Sequence, residues 1–101
     1  MYGTVARFRL KPGMESRLVE QIQEFERLKV PGAVGVSIYR MDADPSEYSI
    51  AVVFESKEAY FANANSPEQD ARYRRMLELL QGEPEWHDGE IVYATAPAPV
   101  R

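Results

Sequence analysis

His87 is the single histidine of the chain, and imidazole is the side chain whose ordinary pKa lies nearest neutrality, so it is the first candidate for a general base. It sits in Glu85-Trp86-His87-Asp88-Gly89, which reads as a polar turn ahead of a last strand. There it is either a catalytic base or a surface residue beside Asp88. Trp86 offers a flat ring on which an aromatic substrate can stack, or else it closes the edge of the core. Tyr39, Tyr48 and Tyr60 fall at strand and helix positions and are either cavity lining or plain core. Ala33, Gly35 and Ser37 share one strand face; their small side chains leave room for a pocket, or let a helix or second sheet come close. Asn63 and Tyr73 flank the junction of two C-terminal helices.

Composition removes several chemistries. The chain has 101 residues and no cysteine, so it holds no disulfide framework, thiolate nucleophile or thiolate metal site. One histidine cannot build a multi-histidine metal cluster, and no metal is expected. A net charge of −4 disfavours nucleic acid, because phosphate backbones demand a surplus of Lys and Arg. Arg72, Arg74 and Arg75 do gather, but Glu68, Asp70 and Glu78 share their segment, which reads as a mixed solvated helix face. No apolar run approaches the ~20 residues that span a bilayer. The opening Met1-Tyr2-Gly3-Thr4-Val5 shows no signal-peptide pattern, so a cytoplasmic protein without membrane contact is expected.

The elements that would position these residues follow from periodicity. Tyr2, Thr4, Ala6, Phe8 and Leu10 alternate with Val5, Arg7 and Arg9, a strand pattern ended by Pro12-Gly13. Met14, Leu18, Ile22, Phe25 and Leu28 then recur at helical spacing, up to Pro31-Gly32. Ala33–Met41 and Glu47–Glu55 read as two strands joined by the turn-rich 42–46 stretch. Ser56 caps a short helix running to Asn63 or Ala64. Ser66-Pro67-Glu68-Gln69 opens another with a capping box and a proline at the first helical position, and Gly82 with Pro84 ends it. A final strand is expected over Glu90–Ala94. One domain over 1–94 is expected, followed by a loosely held Pro- and Ala-rich tail over 95–101.

The order strand, helix, strand, strand, two helices, strand is that of an α+β, ferredoxin-like split βαβ fold with a four-stranded antiparallel sheet. Helices then cover one sheet face only. Yet Ile50-Ala51-Val52-Val53-Phe54 is apolar on both faces, so the other face needs a cover too. A second copy packed by two-fold symmetry supplies one, and a homodimer whose sheets form a barrel is expected. Arg7, Arg9 and Glu55 fall at positions that can reach this interface, where an Arg–Glu55 pair would satisfy them.

Ala6-Arg7-Phe8-Arg9-Leu10-Lys11-Pro12-Gly13 with its helix, the Pro31-Gly32 strand entry, Val53-Phe54-Glu55-Ser56-Lys57-Glu58-Ala59-Tyr60 and the Ser66-Pro67 helix start come in a telling order. In these pieces, up to about Ala94, the chain resembles the antibiotic biosynthesis monooxygenase family of dimeric α+β barrels. The resemblance implies a cavity between sheet and helices, where a polycyclic phenol is deprotonated and its anion reduces dioxygen without metal or flavin. No cofactor is therefore expected. It also implies that Asn63, Tyr73 and Ala6 stand where haem-degrading relatives carry a tryptophan, a histidine ligand and an asparagine, so haem degradation is disfavoured. Tyr73 can instead donate to a phenolate with Asn63 nearby, or pack in the core while Asn63 caps a helix end. The expectation is a monooxygenase acting on an electron-rich phenol or quinol-like ring. His87 and Tyr73 would be its catalytic candidates, with Trp86, Asn63, Tyr39 and Tyr60 at the substrate. The alternatives are a small-ligand-binding or stress-related dimer without turnover, and an isomerase or lactone-processing barrel.

Overall fold

The first strand, β1 (Tyr2–Arg9), forms the inner spine of the sheet, with neighbours on both sides. The computed structural model describes residues 1–95. Along β1, Ala6 and Phe8 point into the core while Val5, Arg7 and Arg9 point out, the alternation that a strand imposes. A turn with Gly13 at φ 78° leads into α1 (Glu15–Arg27). Its Leu18 is fully buried, Met14 and Ile22 pack beside it, and Glu15 and Arg27 suit the two ends of the helix dipole.

β2 (Ala33–Arg40) and β3 (Glu47–Phe54) follow as an antiparallel pair. The link between them is fixed by Asp44, which accepts from the Ser46 backbone N–H and hydroxyl and from Arg9. These donors push its carboxyl down to about 2. Gly32 enters β2 at φ 80°, and a Cβ there would stand 2.5 Å from Ala59 Cβ. Only glycine meets both conditions.

Two short helices come next. α2 (Lys57–Ala64) starts on Ser56, whose Oγ accepts from Ala59 N at 3.1 Å. α3 (Pro67–Leu77) starts on Ser66, whose Oγ accepts from Gln69 N at 3.1 Å. The expected capping box is only half made. Ser66 N donates to the Asn63 carbonyl, and the Gln69 side chain turns instead toward Arg72 and Asn63.

The last strand needs correcting. β4 is Glu85–Glu90, earlier than the expected Glu90–Ala94, and the 85–89 stretch is strand rather than turn. It pairs antiparallel with β1, from Arg7↔Glu85 to Tyr2↔Glu90. The more apolar Ile91-Val92-Tyr93 loses the competition because β1 runs out. Beyond Glu90 only the Ile91 N to Met1 O bond remains, leaving Val92 93% and Tyr93 81% exposed. The expected tail over 95–101 lies, beyond Thr95, outside the described residues.

The sheet order is β2-β3-β1-β4, every neighbouring pair antiparallel, with the helices on one face. This is the α+β ferredoxin-like fold. The core between sheet and helices gathers Ala6, Phe8, Leu10, Leu18, Ile50 and Leu80. On the far face, by register, lie Val5, Ala51, Val53 and Ser37, with Val5 52% exposed. The charged end of that face is paired within the chain, Arg7 to Glu47 and Arg9 to Asp44, each at 2.6 Å. The Arg–Glu55 pair is therefore not formed within one chain, since Glu55 lies beyond β3 beside Gly32 and nearer carboxylates have taken both arginines. No helix among the described residues is long and apolar enough to cross a membrane.

Candidate functional site

Three sheet positions in one row make the floor of a cleft. Thr4 of β1 lies between Val52 of β3 and Asp88 of β4, and all three face the helices. Trp86, two residues before Asp88, has the same parity and forms one wall. Over this row α2 brings Tyr60 and Asn63, and α3 brings Gln69 and Tyr73. The open cleft has a volume of about 450 Å³, in the range of small-molecule sites. Much of its lining is aromatic. The Tyr73 and Trp86 rings stand 6.0 Å apart at 57°, and Tyr60 packs edge-on against Phe54 at 5.6 Å and Phe61 at 5.0 Å.

Polar groups converge at its base. The Tyr60 hydroxyl donates to Asp88 Oδ1 at 2.9 Å. Burial and then this carboxylate push the Tyr60 phenol up to about 12, so it is a donor rather than a base at neutral pH. Thr4 Oγ1 stands close enough to Tyr60 to offset part of that rise. It nevertheless makes no hydrogen bond of acceptable geometry among the described residues, though Thr4 is only 4% exposed. Higher up, Arg72 Nη2 donates to Asn63 Oδ1 at 3.2 Å and Arg72 Nε to Gln69 Oε1 at 3.1 Å. Because Arg72 can only donate, it sets the Asn63 oxygen toward itself and leaves the amide N–H₂ as the group available elsewhere. Its long contact to Gln69 Oε1, at 3.4 Å, is a weak claim on that group.

The structure brings Tyr60, Asn63, Tyr73 and Trp86 together around this one space. It does not bring His87 or Tyr39 there. His87 alternates with Trp86 and Asp88 and so falls on the far sheet face opposite Val5, where Nε2 lies 3.1 Å from Glu85 Oε1. Tyr39 is on that face too, opposite Ser49 and 57% exposed. Tyr48 is buried, stacks on Phe8, and donates to Glu15 at 2.6 Å. Gly35 and Ser37 face away from the cleft. Among the described residues no three His, Cys, Asp or Glu side chains cluster as a metal site would need.

Thr4 and Asp88 escaped sequence reasoning for different reasons. Thr4 was readable, since it is the one hydroxyl-bearing aliphatic residue in the alternating set Tyr2, Ala6, Phe8 and Leu10. Asp88 was hidden behind the misplaced strand, because a turn has no parity to assign. A second cleft, about 370 Å³ between the end of α1 and the start of β2, carries Glu26 and Lys29 beside Phe25 and Val36. It has no comparable buried polar group.

Comparison with known proteins agrees with this fold. A model of the antibiotic biosynthesis monooxygenase family matches residues 1–75. The chain belongs to the antibiotic biosynthesis monooxygenase family. Among solved structures it is similar to a candidate antibiotic biosynthesis monooxygenase from Chloroflexus aurantiacus J-10-fl, at 22% identity and TM-score 0.74, covering 94% of this chain and 96% of that one. It is also similar to an asparagine-to-alanine mutant of SnoaB, a cofactor-independent oxygenase from Streptomyces nogalater, at 18% identity and TM-score 0.75, covering 92% and 94%. A protein of unknown function from Nitrosomonas europaea superposes at 21% identity and TM-score 0.71, covering 96% and 94%. At these identities the structures speak for the fold alone. No curated protein matches the sequence.

Proposed function

We propose that the chain is a cofactor-independent monooxygenase that oxidises an electron-rich, hydroxylated polycyclic ring with dioxygen. The observation that carries this reading is the aromatic-walled cleft with Asp88, Tyr60 and Thr4 at its base. Asp88 Oδ1 is held by Tyr60, which leaves Oδ2 to accept the phenolic proton of a ring stacked between Tyr73 and Trp86. The anion gives one electron to dioxygen, and the two radicals join at a ring carbon as a peroxide. Protonation of the peroxide and loss of that carbon's hydrogen break the O–O bond, leaving a carbonyl and one water. Tyr73 and the Asn63 amide supply donors to the oxygen on which charge builds. Membership of the family and likeness to an oxygenase described as cofactor-independent support the same reading.

The working unit we propose is a homodimer joined through the far sheet face, where Val5, Ala51 and Val53 lie uncovered beside small residues. His87 falls in that interface and takes no part at the cleft. A second reading, small-ligand binding without turnover, is favoured by the engagement of Asp88 with Tyr60, which already occupies one of its two carboxylate oxygens.

An oxygen electrode separates the two, with 1,8-dihydroxyanthrone as the electron-rich probe and heated protein as the blank. The oxygenase consumes oxygen above the blank, and Asp88→Asn slows it by roughly 10²-fold, the range for loss of a general base. Saturable quenching of Trp86 with no uptake of oxygen would instead establish a binder.

A further inference from the structure

Thr4 Oγ1 is the one buried side-chain oxygen left without a hydrogen-bond partner among the described residues. It borders the cleft from the middle of the sheet, where water has poor access. An unpaired hydroxyl in such a place costs stability, so its chemistry is best explained by a partner that arrives from outside the chain. The neighbouring groups say what that partner is. The Tyr60 proton is already committed to Asp88 Oδ1, and the second Asp88 oxygen remains an acceptor. Thr4 and Asp88 are directly opposite across β1 and β4. Together they present one donor and one acceptor at the base of an aromatic slot.

We infer that Thr4 Oγ1 and Asp88 Oδ2 form a recognition site for one neutral ring hydroxyl, which accepts from Thr4 and donates to Asp88, so that the cleft selects hydroxylated rings over bare or carboxylated ones. The inference deepens the oxygenase reading and rests on it for the identity of the ring. A ring hydroxyl satisfies both groups at once. A bare ring leaves the buried Thr4 hydroxyl unpaired and displaces water from Asp88, which is exposed in the free chain, and polar groups left without partners on binding discriminate strongly. A carboxylate fares worse, because it would face the Asp88 charge with no cation lining the cleft to offset it; Arg72, which reaches the lining residues Asn63 and Gln69, is spent on them. Thr4 is thus a positioning and specificity residue, set to orient the hydroxyl whose proton Asp88 takes.

Equilibrium dialysis in deoxygenated buffer tests this with 1-naphthol, naphthalene and 1-naphthoate on wild type, Thr4→Val and Thr4→Ser. The site predicts that wild type prefers 1-naphthol to 1-naphthoate by roughly tenfold or more. Thr4→Val, equal in shape, weakens 1-naphthol by about fivefold while leaving naphthalene unchanged, and Thr4→Ser restores most of the loss. A purely structural Thr4 predicts the reverse pattern, lower stability and no ligand discrimination. Here Thr4→Val melts no lower than wild type, because it removes an unpaired hydroxyl. Equal affinity of wild type and Thr4→Val for 1-naphthol, failure of all three compounds to bind, or a lowered melting point with unchanged selectivity would overturn the assignment. Discrimination by Thr4 without oxygen uptake on 1,8-dihydroxyanthrone would leave the hydroxyl site standing and remove the oxygenase reading.

Discussion

Tyr60 carries a prediction that concerns a single proton. Its phenol is raised from 10.0 to about 12, first by burial and then by Asp88. A folded-state pKa above the unfolded one stabilises fully below the lower value and is lost as pH rises through the higher. Tyr60 therefore contributes its share of stability up to about pH 10 and loses it toward pH 12. The absorbance difference between wild type and Tyr60→Phe, followed from pH 8 to 13, is expected to be centred near 12. A difference centred near 10 would mean that the phenol is neither buried nor bonded to Asp88. Residue types alone drew attention to His87 because imidazole ordinarily titrates near neutrality, but the proton acceptor we propose for the cleft is a carboxylate, that of Asp88. What selects it is the strand parity of β4, which a list of titratable side chains does not contain.

α1 and β1 were legible because their apolar residues are one-sided and periodic, and β3 because its apolar run is unbroken. Leu18 and Ile22 on α1, and Ile50 and Phe54 on β3, are placed where their spacing puts them. Ser56 and Ser66 start their helices as their positions imply, each accepting from a backbone N–H three residues on. The edge strand was not legible. An edge needs hydrogen bonds on one side only, so Glu85-Trp86-His87-Asp88-Gly89-Glu90 can pair with β1 while reading as a polar turn, and the more apolar Ile91–Tyr93 finds no strand left to pair with. Half of the cleft's polar floor was misjudged with it. The junction between α2 and β2 is a tighter constraint. Gly32 sits at φ 80° against Ala59. Gly32→Ala is expected to cost ~1–3 kcal/mol from the backbone conformation alone, and more from the overlap. Denaturant unfolding followed by Trp86 fluorescence measures it, and an unchanged midpoint would show that α2 can shift freely away from β2.

For the whole molecule, two sheet faces meet different fates. One is covered by α1, α2 and α3 and contains the cleft; the other leaves Val5 half exposed amid Ala51, Val53 and Ser37. The proposed dimer predicts that sedimentation at micromolar concentration finds two chains, and that Val5→Asp, which sets a charge amid those apolar side chains, yields single chains with native far-UV circular dichroism. A wild-type monomer would contradict it. The oxygenase reading makes a stricter demand, on the fate of two atoms. With ¹⁸O₂ and 1,8-dihydroxyanthrone, in protein treated with a chelator, the account predicts one labelled oxygen in the quinone product and the other in water. A product free of label, or one labelled only from H₂¹⁸O, would contradict it.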